Sequence, residues 1–345
     1  MPNTVYENFV LENKLESILT TKIDLSNYMT VDRSLAESAG MKKTIHKYKA
    51  AGAVEDLTQG NGNTGVITAS FSSKDYVVGV TQGKAVYYDE EAMKDPFIVD
   101  SLVNGMAEIM ANDFTSKAIA EMENFDLAVE VDFTSSASGY LFGKVVDALA
   151  LFGEDSDQKT LLISPKHQAW ARKQLGDDLK YSEAFARTGY IGTICGVPVV
   201  MSKAVPDSCM FIVEKEAVTL FIKKGSEAEQ ERDANTRENR LFLRKVALVA
   251  MTNAKKIVGL AAAQSTACAI TTYTKNARTI AGTCGTDCRL VVVVDGDGEV
   301  YEVEPSAGAW TMTAKANLTA DDKINATAYA PGKAPKAATE VTVAS

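Results

Sequence analysis

Apolar side chains recur at Val99, Val103, Met106, Met110, Phe114, Ala118 and Met122. That spacing of three or four keeps them on one face of a helix. Asn104, Glu108, Asn112, Asp113 and Glu121 fall on the other face. Asp95 is a natural N-cap, and Pro96 suits the first helical position, where its missing N–H costs nothing. The pattern predicts one helix over residues 96–122, a rod about 40 Å long at roughly 1.5 Å per residue. With no helical partner nearby in sequence, such a rod reads as a spine on which a flat, extended subunit is built.

Upstream, residues 1–44 are a mostly polar arm with short helical patches and no strong core signal. Such an arm is either disordered or ordered by a neighbour. Residues 45–88 read as an extended excursion: TIHKYKA leads out, QGNGNTG is the tip, and VITASFSSKDYVVGV returns. Glycine and asparagine accept positive φ at low cost, so the tip is hairpin chemistry. The excursion holds few large apolar side chains, and a lone two-stranded hairpin is marginal in water, so packing against another subunit is expected.

Downstream, Leu141, Val145, Leu149 and Phe152 line a second helix ending at Gly153. TLLIS (160–164) is a short buried-type strand, and Ser164-Pro165 opens a helix, PKHQAWARKQL, predicted to stop at Gly176. YIGTICGVPVVMS (190–202) and CMFIVEKEAVTLFIKK (209–224) supply further strands. LFLRKVALVAMTNAKKIVGLA (241–261) gives two more, broken near Asn253. Between them the charged run GSEAEQERDANTRENR (225–240) reads either as a solvated connector or as a charge contact between subunits.

At Ala261 the composition turns to alanine and threonine, with AAAQST as the expected linker. RLVVVVDGDGEVYEVEP is a hairpin around Asp295-Gly296-Asp297-Gly298, and AGAWTMTAKANL, DKINATAYA and TEVTVAS continue the short-strand pattern. Several short strands with turn signals between them predict a β-sandwich over 266–345.

Composition narrows function mainly by exclusion. At 345 residues the chain exceeds one small core, so two or three domains are expected. A formal net charge of -9 argues against a dedicated nucleic-acid binder. No apolar run approaches the roughly 18 residues of a membrane span. The N-terminus lacks the basic-then-apolar pattern of a signal peptide, so folding in a reducing cytosol is expected. The five cysteines are expected to be free thiols. Cys195 and Cys209 sit in apolar strand-like contexts, and Cys268, Cys284 and Cys288 have no nearby histidine to complete a zinc set. A late disulfide is the alternative for that group.

Gly60-Asn61-Gly62-Asn63-Thr64-Gly65 matches GxGxxG. A dinucleotide site needs that pattern between a buried strand and a helix, and here strand-like VITASF follows, so a hairpin tip is expected. His46 and His167 lack a positioned nucleophile. Asp295, Asp297 and Glu299 read as a turn because their spacing departs from a calcium loop. No active site, cofactor or metal is expected.

The order of elements resembles the tailed-phage major capsid protein of the Hong Kong 97 type. The resemblance covers roughly residues 1–262. GTICGVPVVMSKAVP is similar to a recurring family strand and turn, and NRLFLRKVALVAMTNAKKIVGLA resembles the family's closing strands. The C-terminal VDGDGEVYEVEPSAGAWTMTAKANL, with Trp310 and the alternation around it, is similar to bacterial Ig-like repeats. The fold class implied is α+β: an N-terminal arm (1–44), an E-loop β-hairpin and its approach to the spine helix (45–92), a P-domain spine helix (93–129), an A-domain (130–215) and P-domain strands (216–262). An all-β Ig-like sandwich (266–345) follows on the outer surface.

The resemblance implies a non-enzymatic subunit of the virion capsid that assembles with itself into hexamers and pentamers of an icosahedral or prolate head. It further implies weak, non-specific contact with packaged double-stranded DNA, a portal, and no membrane. The short arm before the E-loop favours a separate scaffolding protein. Assembly contacts are expected at Val5, Phe9 and Leu11 in the arm, Tyr76, Val78 and Val80 in the E-loop, and Glu227, Glu231, Arg232, Arg237 and Arg240 in the charged run. For the Ig-like module, decoration or glycan binding through Trp310 or Tyr301 are the two roles, with Trp310 expected in the core. The alternatives are an encapsulin-like non-viral compartment and a nucleotide-dependent α/β enzyme with a carbohydrate-binding appendage.

Overall fold

The computed structural model describes residues 5–7, 11–14, 17, 28–37, 40–51, 56, 62, 68–95, 97–135, 137, 139–153, 157–179, 192–264 and 268–344. They group into two compact units, the first from 1–22, 31–110 and 220–252, the second from 23–30, 111–219 and 253–345.

In the first unit, β3 (Lys42–Ala51) and β4 (Thr68–Val77) pair antiparallel from Lys42↔Val77 to Ala51↔Thr68. Ten residues a strand give a hairpin about 33 Å long. Its expected tip lies, apart from Gly62, outside the described residues. The returning chain then enters β5 (Gly79–Tyr88), which pairs with β12 (Glu238–Met251) from Ala247↔Gly79 to Glu238↔Tyr88. This second sheet runs in the order β1 (Val5–Glu7), β11 (Val218–Asp233), β12, β5, with β2 (Thr30–Asp32) also pairing β11. Leu35, Tyr76, Val78, Phe221, Val246, Leu248 and Ala250 form a buried cluster, with Ile45 against it.

The run at 225–240 is therefore not a connector. It is the far end of a β-hairpin whose strands continue straight through the charges. Ser226 and Ala228 are buried, while Glu227 and Glu229 between them are half-buried, the alternation of a pleated strand.

After a short helix α1 (Asp89–Lys94), the spine forms as α2 (Ile98–Met122). Asp95 caps it: its Oδ1 accepts from the Phe97 N–H at 2.9 Å and its carbonyl from the Ile98 N–H at 3.2 Å. Pro96 lies outside the described residues. Val103, Met106, Met110, Phe114, Ala118 and Met122 are buried as the period requires, and Val99 is half-buried. Each large side chain among them stabilises by about 1.5–3 kcal/mol.

The second unit holds a six-stranded sheet, ordered β6 (Leu127–Glu130), β13 (Ile257–Ala261), β10 (Cys209–Glu214), β7 (Lys159–Ile163), β9 (Val197–Met201), β8 (Thr193–Ile194). Leu141 and Val145 of α3 (Tyr140–Ala150) and Ala171 of α4 (Pro165–Leu179) share one core with Leu161, Ile163, Met210, Ile212, Val258 and Leu260. Gly259 has a steric role here, because a Cβ on it would lie 2.5 Å from the Phe125 ring that packs over β13.

Ser164 caps α4 as expected, its Oγ accepting from the His167 N–H at 3.1 Å. The helix does not stop at Gly176 but runs on to Leu179. A helical glycine costs only about 1 kcal/mol and ends a helix only where a left-handed residue is built in. Cys195 is also not in a strand. It occupies the two-residue turn between β8 and β9 with φ of 51°, followed by Gly196 at 80°.

The C-terminal residues form two sheets. One is β14 (Ala269–Tyr273), β15 (Thr279–Thr283) and β18 (Ala309–Thr313). The other is β17 (Val300–Val303), β16 (Leu290–Val294), β19 (Lys323–Tyr329) and β20 (Lys336–Ala337), with β21 (Val341–Thr342) also pairing β19. Ile280, Trp310 and Met312 from the first sheet and Val291, Val293, Ile324 and Ala326 from the second share one core. Trp310 is 2% exposed and packs over Gly282, where a Cβ would sit 2.4 Å from the indole.

Within the expected linker, the described residues up to Gln264 are packed. Gln264 is buried and donates to the Ala328 and Ala334 carbonyls, both at 2.9 Å. Arg289 donates to the Asn124 and Phe125 carbonyls at the end of α2, and the Gly332 N–H donates to the Glu123 carbonyl. The two carbonyl bonds fix Gln264 in place, because leaving its buried amide unpaired would cost free energy.

Candidate assembly surfaces

Three expected contact segments lie together in the first unit. β1 of the arm pairs with the charged strand, Val5↔Glu231, Tyr6↔Gln230 and Glu7↔Glu229. Leu11 is buried at 8% exposure, and Phe9 lies outside the described residues.

Of the residues expected along the excursion, Tyr76 and Val78 are buried in the first unit's own core. Val80 stays outward, 55% exposed, and Val77 is 73% exposed. All three expected residues have the same parity, which a continuous strand would place on one face. The strand breaks at Val78, whose N–H donates to the Met41 carbonyl at 2.8 Å, and that break separates Val80 from the other two.

The charged residues are paired within the chain. Arg232 meets Asp89 at 2.6 Å and Arg237 meets Glu90 at 2.6 Å. Arg240 joins Glu238 at 2.6 Å and Glu231 at 3.7 Å, while Arg244 bridges Glu227 and Glu229. The Arg232 and Asn239 bonds hold the Asp89 carboxyl below the usual carboxylate range. Burial pushes Glu227 upward, but Lys224 and Arg244 outweigh it and lower it overall. Exposed pairs of this kind contribute little to stability, so their effect is to fix a pattern of charge along the hairpin.

Sequence periodicity missed a second set of residues. Met93 is 83% exposed, and Phe97 and Ile109 are each 70% exposed. The signal was present at Ile109, which sits off the apolar stripe and beside Glu108 and Asn112 on the polar face.

Elsewhere the expected chemistry is placed as structure. The glycine pattern at 60–65 lies, apart from Gly62, outside the described residues, and the described elements on either side of it are the strands β3 and β4. His46 is exposed on β3, and His167 is buried, stacked on Phe133 at 4.4 Å. Asp295 is a turn residue: its Oδ1 accepts from the Asp297 and Glu299 N–H groups and its Oδ2 from the Tyr301 hydroxyl. Among the described residues no group of three or more metal-ligating side chains has metal-site geometry, and no helix is long and apolar enough to cross a membrane.

No family model and no curated protein matches the sequence. Solved structures do match the fold. The capsid of Cyanophage P-SCSP1u is 14% identical with a TM-score of 0.54, over 69% of this chain and 87% of that one. The capsid of a native GTA particle is 12% identical with a TM-score of 0.56, over 70% and 91%. A virus-like particle from Pyrococcus furiosus is 14% identical with a TM-score of 0.50, over 72% and 98%. About 70% of the chain thus has the Hong Kong 97-type fold of phage capsid subunits.

Proposed function

We propose that this protein is the major capsid subunit of a tailed-phage shell, assembling as hexamers and pentamers around double-stranded DNA. The observation that carries the reading is the first unit's surface. A two-stranded hairpin about 33 Å long, marginal alone, stands in the same unit as exposed Val77, Val80, Met93, Phe97 and Ile109. Neighbouring copies would bury those side chains and stabilise the hairpin by mass action. Five- and six-fold rings require such heterologous contacts, one surface meeting a different one on the next copy. Val77 and Val80, with the paired charges from Glu227 to Arg240, are the E-loop and hairpin contacts of this reading; the arm contributes through β1. A separate scaffolding protein and a portal complete the partners. The net charge of -9 suits containment of DNA rather than tight binding.

The C-terminal two-sheet module is assigned as an Ig-like decoration of the outer surface. Buried Trp310 and the bonded Tyr301 hydroxyl support decoration over glycan capture through those aromatics. Deleting residues 55–70 tests the assembly role: it should leave a soluble subunit that forms no shells, and normal shells from the deletion would overturn it. An encapsulin-like compartment is the second reading, since the fold matches a virus-like particle as well as phage capsids. Mass spectrometry of purified shells separates the two, a packaged genome supporting the first and a cargo protein the second.

A further inference from the structure

We infer that Cys284 and Cys288 form an oxidation site that closes into a disulfide across the turn leading into β16. The inference rests on the C-terminal module alone and does not depend on the shell reading.

Three cysteines far apart in the β-order meet at one end of this module. Cys268 directly precedes β14 and Cys284 directly follows β15. The register Ala269↔Thr283, carried one step further, sets Cys268 opposite Cys284, and both are buried in the module's core. The chain then turns back. The Cys288 N–H donates to the Gly285 carbonyl at 3.1 Å, closing a turn that returns Cys288 toward Cys284, and the Cys288 Sγ, beside the Cys284 thiol, donates to Gln264 Oε1 at 3.7 Å. All five cysteines are free, and of this pair Cys288 is half-buried while Cys284 is 6% exposed. An accessible thiol beside a shielded one is the arrangement of an attacking and a resolving cysteine.

The chemistry balances with a small-molecule disulfide, such as oxidised glutathione, as oxidant. The Cys288 thiolate attacks one sulfur of the oxidant, forming a mixed disulfide and expelling one glutathione thiolate. Cys284 gives its proton to solvent and attacks the Cys288 sulfur, expelling the second glutathione thiolate. Two protein thiols become one disulfide while the oxidant gains two electrons and becomes two thiols. Burial pushes the Cys284 thiol up to about 12, so closure speeds up as the pH rises. A reducing cytosol holds the pair open, and an oxidising exterior closes it. Cys288 is followed at once by Arg289, which donates to the Asn124 and Phe125 carbonyls, so the bond braces the turn that carries this grip.

The test uses the folded full-length protein incubated with oxidised glutathione, then alkylated with iodoacetamide in denaturant without reductant and digested with trypsin. The peptide 279–289 carries both cysteines. It should appear without alkyl groups and gain two only after reduction, while Cys209 and Cys268 are alkylated throughout. The yield should rise faster at about pH 8.5 than at about pH 7. The C268S variant should give the same bond, and C288S should leave Cys284 alkylated. Full alkylation of 279–289, a persistent glutathione adduct, or a bond to Cys268 would each overturn the assignment.

Discussion

Arg289, directly before β16 of the C-terminal module, sits 2.9 Å from the Asp126 carboxylate, just beyond the end of α2. The same guanidinium nitrogen reaches the Asn124 carbonyl at 3.0 Å and the Phe125 carbonyl at 3.2 Å. These carbonyls belong to the turn that ends the spine helix, where a cation is favoured by the helix dipole and by unpaired carbonyl groups. The module is therefore tied to the spine rather than hung from a loose tether.

Replacing Arg289 by methionine keeps the stem and removes the donors. With the pair part-exposed, the loss should be about 1–2 kcal/mol. Amide exchange should quicken in residues 123–131 and 289–294 while the six-stranded sheet stays protected. Unchanged exchange in both segments would show that the contact carries no strength.

Glu214 is 1% exposed between Lys159, 2.8 Å away, and Lys256, 3.3 Å away. Bonds to Asp157, Glu216 and Glu214 hold the Lys256 amine above its usual range despite partial burial. Glu214→Gln takes the shared carboxylate from two half-buried lysines, of which Lys256 keeps Asp157 and Glu216, and should cost about 1–3 kcal/mol in denaturant unfolding. A loss below about 0.5 kcal/mol would mean solvent already screens the site.

Burial holds His167 below its usual value near 6.5, against opposing contributions from the Asp207 carbonyl and carboxylate. The unfolded chain therefore binds this proton more readily than the folded one. Stability contributed by the neutral ring is intact above about pH 6.5 and is lost as pH falls from there toward the lower folded value. Histidine at this position should make unfolding more pH-dependent between about pH 7 and 5 than phenylalanine does. Parallel denaturation profiles for wild type and His167→Phe would contradict this.

Gly282 faces Trp310 across β15 and β18, and a Cβ there would meet the Ala269 carbonyl oxygen as well as the indole. Gly282→Ala should destabilise by roughly 1–3 kcal/mol or more through overpacking. Calorimetry of the full chain checks it, and an unshifted transition would show that the indole has room to move.

The parts of the fold legible in sequence were those where large apolar residues carry the period. Val103 to Met122 announced the spine, and TLLIS a buried strand. The charged hairpin was missed because its inward positions are small or polar, Ser226, Ala228 and Asn239, so no hydrophobic alternation marked the strands. Its outward glutamates at 227, 229 and 231 did alternate, a period-2 signal written in charge. The parity change at Val78 depends on a backbone bond to Met41, a long-range contact that no local pattern encodes. For the same reason no local pattern showed that Tyr76 packs in the first unit's core.

Electron microscopy of the purified protein, expressed with and without its neighbouring genes, decides whether this chain builds a shell. Closed shells, or rings of five and six subunits, should form under at least one of the two conditions. A protein that stays monomeric at high concentration under both would contradict this.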